Sequence, residues 1–89
     1  MKILQGVVIL SNPVLRLFAV NVSEKDITII KPQPDSILNI GDLIKGDLHD
    51  INACDCYNET RGEKIGISVE GVHCSIGEAL YHIGLKWTQ

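Results

Sequence analysis

Glu63-Lys64-Ile65-Gly66-Ile67-Ser68-Val69-Glu70 is the stretch that decides how this 89-residue chain is read. Ile65, Ile67 and Val69 fall on one side, and Lys64, Gly66, Ser68 and Glu70 on the other. A period of two sends successive side chains to opposite faces, so the segment is a strand with one buried face. Gly71 follows, and Val72 and Cys74 rejoin the inner face only if one residue is inserted, which predicts a bulge at the glycine.

Working outward, the same alternation recurs. Residues 3–10 and 15–22 read as strands separated by the turn signal Ser11-Asn12-Pro13, and Ser23-Glu24-Lys25-Asp26 turns the chain into a third strand over 27–30. Pro32-Gln33-Pro34-Asp35 interrupts the pattern, because proline cannot donate to a sheet ladder. Residues 42–48 make a fourth strand and 51–57 a fifth, joined through Asn58-Glu59-Thr60-Arg61-Gly62 to the strand at 63–70. The period changes once. Ile76, Ala79, Leu80 and Ile83 repeat at i, i+3, i+4 and i+7, Ser75 and Glu78 form a capping box, and Gly84 stands where a left-handed residue ends a helix.

The layout predicts a mainly-β fold: a small antiparallel barrel or sandwich of five to six strands, OB-like or SH3-like in general form, with one short C-terminal α-helix at about 75–84. Residues 1–89 form one domain. Phe18, Tyr57, Tyr81 and Trp87 are the only aromatic residues besides histidine, so the core is aliphatic. No run approaches the ~20 apolar residues of a membrane span, and the N-terminal segment lacks a small-residue cleavage site. Three cysteines suit a reducing compartment better than a disulfide framework, so the expected location is the cytoplasm and no membrane partner is expected.

Charge is uneven. The net value is −3, yet residues 1–48 carry five basic and five acidic side chains. Residues 49–89 set Arg61, Lys64 and Lys86 against Asp50, Asp55, Glu59, Glu63, Glu70 and Glu78. With no basic stripe and few aromatics, binding to a phosphate backbone is disfavoured. Asp42, Asp47, Asp50, Asp55, Glu59 and Glu63 form an acidic run with a spacing foreign to a calcium loop. It reads either as charge blunting a sheet edge or as a docking face for a basic partner.

The remaining candidates are Cys54-Asp55-Cys56 and His73-Cys74. Zinc knuckles use a C-x₂₋₄-C turn, whereas C-x-C on a strand holds its sulfurs about 7 Å apart, and adjacent His73 and Cys74 face opposite ways. Cys56 and Cys74 therefore read as small buried hydrophobes. A nucleophilic cysteine is disfavoured by Asp55, whose charge raises a neighbouring thiol pKa. Neither a metal nor a cofactor nor a catalytic residue is expected. The expected function is a non-enzymatic interaction module (an inhibitor, immunity-type or adaptor protein) docking a basic protein through Asp47, Asp50, Asp55, Glu59 and Glu63. Trp87 is either its hydrophobic anchor or a cover for the core. The alternative is an OB-type barrel binding single-stranded nucleic acid around Phe18, Lys31 and Lys45. Partner identity and oligomeric state are not written in the sequence.

Overall fold

In the computed structural model, which describes residues 3–84, the alternating segments become β1 (Leu4–Asn12), β2 (Leu17–Ser23), β3 (Asp26–Pro32), β4 (Leu43–Gly46), β5 (Ala53–Asn58) and β6 (Glu63–Cys74), followed by α1 (Ile76–His82). Every pairing is antiparallel, in the order β1-β2-β3-β6-β5-β4. β1 closes the ring by pairing with β2 along one side and β4 along the other. The fold is thus a six-stranded closed barrel with one short C-terminal helix, and the sandwich alternative falls away. Closure also leaves the acidic run no sheet edge to blunt.

Inward residues of every strand fill the barrel: Val8, Phe18, Val20, Ile30, Ile44, Cys56, Ile65, Ile67 and Val69. Leu38 and Leu48 from the connecting loops complete the packing. The strands approach closely at β4 and β5, where a Cβ on Gly46 would overlap Cys56 Sγ. A second apolar layer lies outside the barrel. Ala19, Ile27 and Ile29 point away from the interior and are covered by Ala79 of α1 and its C-cap residue Ile83. β3 is consequently buried on both faces, which explains its unbroken Ile-Thr-Ile-Ile run.

The helix is held as its sequence predicts. Ser75 accepts the Glu78 amide, the Glu78 carboxylate accepts the Ser75 amide, and Gly84 adopts φ +82°. Asn12 adds a tie from the β1–β2 turn, its Nδ2 donating to the Ile83 carbonyl at 2.7 Å.

Several boundaries differ from expectation. β1 runs on through Asn12 and the turn falls at 13–16, because Asn12 Oδ1 accepts the Val14 and Leu15 amides and Arg16 takes a left-handed φ of +57°. β4 stops at Gly46, and Leu48 turns inward as a plug while Thr28 Oγ1 donates to its carbonyl at 2.9 Å. β3 extends to Pro32, which is tolerated as the last residue of its strand.

β6 departs most. Against β3, Ile30 pairs with Val69, Ile29 with Gly71 and Ile27 with Cys74, so one extra β6 residue is accommodated on each side of Gly71. There are two bulges where one was expected. Val72 packs on the barrel interior, but the second bulge turns Cys74 outward to the helix layer, contrary to the inner-face assignment.

Candidate functional site: an acidic groove and a histidine–aspartate cluster

On the outside of the barrel, the β3–β4 connection lies along β6. Gln33 donates its amide to the Gly66 carbonyl at 3.0 Å, and its side chain occupies the space a Cβ on Gly66 would need. This contact bounds two adjoining open clefts of about 490 and 280 Å³ that share Gln33 and Gly66. Asp35 and Glu63 line the larger, with Lys64 on the same wall, and Asp55 lines the smaller. The alternation of β5 and β6 explains Asp55 and Lys64, which must face out with Cys56 and Ile65 turned inward, whereas Glu63 is exposed as the first residue of β6.

The acidic residues singled out from sequence separate into distinct roles. Asp55 and Glu63 reach the groove. Asp47 and Asp50 lie with Asp55 around Cys54, whose pKa is raised first by burial and then by these three charges. Glu59 sits at the β5–β6 turn, where it accepts a hydrogen bond from Gln5 Nε2. Glu63 also pairs with Arg61 at 3.2 Å, whereas among the described residues Asp47, Asp50, Asp55 and Glu59 have no salt-bridge partner. Asp42 is not a surface charge. It is buried, and its Oδ2 accepts the Asn58 side-chain amide and the Asn39 backbone amide, both at 2.9 Å. Trp87 lies outside the described residues. Sequence reasoning missed Asp35 and Gln33; the only signal was the stiff Pro32-Gln33-Pro34 segment, which carries no address for where it docks.

The nucleic-acid candidates do not converge. Phe18 is turned into the barrel, and Lys31 on β3 and Lys45 on β4 occupy strands that do not pair.

The cysteines resolve the C-x-C question. Cys54 and Cys56 share the inner face of β5, and their sulfurs lie 3.8 Å apart, nearer than the strand repeat suggested because the two side chains lean together. Burial, then the neighbouring Cys54, pushes the Cys56 thiol up to about 12, and burial also raises Cys54 and Cys74. Thiols held protonated are poor nucleophiles. Cys74 Sγ is directed to the Val72 carbonyl at 3.7 Å, and no sulfur joins a group of three or more metal-ligand side chains among the described residues.

His73 instead meets two residues that sequence reading had not linked to it as a site. It occupies the second β6 bulge with φ +54°, and its Nδ1 lies 3.3 Å from Asp26 Oδ1. His49, on the β4–β5 connection, places Nε2 2.8 Å from Asp26 Oδ2. The imidazole centroids are 4.3 Å apart, with planes tilted by 43°. Each placement has a local cause. The bulge re-aims His73, the Thr28–Leu48 hydrogen bond pins the residue before His49, and left-handed Lys25 (φ +59°) turns the chain into Asp26. Comparison with models of known protein families, with curated proteins and with solved structures finds no match for this chain.

Proposed function

We propose that this barrel is a non-enzymatic docking module that receives an extended basic segment of a partner protein in the groove between the 33–37 loop and β5–β6. The observation that carries the reading is the concave surface lined by Asp35, Asp55 and Glu63, with Lys64 the one cation of that lining and Arg61 paired to Glu63 beside it. A lysine or arginine suits such a cleft because its methylene stem packs on the floor while its charged head meets the carboxylates. Asp47 and Asp50 extend the negative field beyond the cleft and steer encounter rather than supply contact. The free cysteines agree with a reducing, cytoplasmic setting.

The test is binding of a panel of fluorescently labelled, extended Lys/Arg peptides, followed by anisotropy. The double variant D55N/E63Q is expected to weaken binding about tenfold, corresponding to ~1.4 kcal/mol. E24Q/E70Q, which removes equal charge outside the clefts, should leave affinity within about twofold, as expected for distant exposed charges. The on-rate should fall as salt shortens the Debye length from ~30 to ~8 Å. Equal weakening by both double variants would reduce the effect to net charge and refute the groove. Low-micromolar oligonucleotide binding that tightens in D55N/E63Q would favour the nucleic-acid alternative instead.

A further inference from the structure

We propose that Asp26, His49 and His73 form a binding site for one divalent first-row transition-metal ion, with Zn²⁺ as the reference ion. The site lies beyond the groove and does not rest on the docking reading. One ligand atom from each of the three residues lies within 4.8 Å of the others. Two imidazole nitrogens and a carboxylate oxygen are the donor set such ions favour, and calcium or magnesium would call for oxygen instead.

The distances fit a small expansion around an ion. Zinc bonded at 2.0–2.1 Å in a tetrahedron separates its donors by about 3.4 Å. His49 Nε2 lies 2.8 Å from Asp26 Oδ2 and His73 Nδ1 lies 3.3 Å from Oδ1, so an ion held by both imidazoles and one carboxylate oxygen, from donors within 4.8 Å of one another, requires shifts of up to about 1.5 Å. Three protein ligands leave a fourth position for water or a partner's side chain. Access is from the His73 side, where that side chain is 62% exposed while Asp26 and His49 are 17% and 24% exposed.

Two further features point to an ion rather than to a settled hydrogen-bond network. Asp26 Oδ1 is buried and has no hydrogen-bond donor, since His73 Nδ1 approaches it without hydrogen-bond geometry. A buried carboxylate oxygen left unpaired is costly, and a cation satisfies it. His73 also holds a left-handed backbone, a conformation that non-glycine residues adopt at a cost and that recurs at ligand sites. Sequence spacing hid the site because its residues come from the start of β3, the β4–β5 connection and the end of β6.

The test uses the full chain after chelator treatment and dialysis. Zn²⁺ is titrated by calorimetry, and Co²⁺ serves as a visible reporter of tetrahedral nitrogen–oxygen ligation. One ion per chain is expected, with affinity lowered at least tenfold in both H49Q and H73G and unchanged in the control H82Q. Glycine is chosen at 73 because it accepts the left-handed backbone, so the imidazole is removed without unfolding the bulge. Circular dichroism confirms that each variant is folded. Failure to bind either ion, or undiminished stoichiometric binding in H49Q or H73G, overturns the proposal. Cobalt spectra dominated by sulfur charge-transfer bands would also overturn it, by assigning the ion to the cysteines.

Discussion

The two halves of β6 behave differently. From Glu63 to Val69 the strand alternates without error, Ile65, Ile67 and Val69 inward and Lys64, Gly66 and Ser68 outward. From Glu70 to Cys74 it carries two bulges and a left-handed histidine. The regular half builds a face: its outward row becomes the floor of a groove, suited to an extended partner that reads charge along a line. The irregular half builds a point, because bulges rotate single side chains out of register and bring His73 over Asp26. Alternation is how a sheet makes a surface, and its interruption is how a sheet converges donors from separate elements.

The largest effect expected from probing this contrast is on the regular half. Ile67 is 3% exposed within the barrel, so Ile67→Ala should cost about 2–5 kcal/mol in denaturant unfolding. Val72, only partly buried beyond the first bulge, should cost less when truncated to alanine. Equal losses would mean that the irregular half carries as much of the core as the regular half, and the contrast would fail.

Ser75→Ala tests what holds the irregular half in place, since the helix it caps follows β6 directly. Removing the acceptor for the Glu78 amide should cost about 1 kcal/mol. The same box has a pH signature. The Ser75 backbone amide, then its hydroxyl contact, holds the Glu78 carboxyl below the usual glutamate value of 4.5. A folded-state pKa below the unfolded one stabilises the fold above the unfolded pKa, and that contribution is lost as pH falls through the folded value. Glu78→Gln should therefore flatten the acid limb of stability below about pH 4.5 relative to wild type. An unchanged acid limb would break the capping assignment.

The smallest effect concerns His73 itself. In metal-free protein His73→Gly relieves the left-handed strain but adds unfolded-chain entropy, two terms of about 1 kcal/mol that nearly cancel. A midpoint within about 0.5 kcal/mol of wild type is expected. A loss above 2 kcal/mol would show that the imidazole packs as part of the fold rather than standing over Asp26 as a ligand.

Legibility in the sequence follows the same division. Wherever alternation is clean, as in Glu63–Val69, strand and facing could be read directly, and the capping box with Gly84 marked the helix to within a residue or two. Gly71 signalled irregularity, but one glycine cannot say how many residues are inserted, so the second bulge and the outward turn of Cys74 went unread. Asp42 looked like one more surface charge, because nothing local distinguishes a carboxylate that will meet Asn58 of the neighbouring strand β5. The groove and the histidine–aspartate cluster share that opacity. Both depend on where loops 33–37 and 47–52 come to rest against β3, β5 and β6, which is long-range information no spacing rule contains.

The docking account is tested most directly by mapping amide chemical shifts of the ¹⁵N-labelled protein during titration with the tightest basic peptide of the panel. The expected result is a contiguous, saturating set of shifts at Gln33, Asp35, Asp55, Glu63 and Gly66, with the amides of Asp26, His49 and His73 unmoved. Saturating shifts that leave Gln33, Asp55 and Gly66 unmoved would contradict the groove as the site of partner recognition.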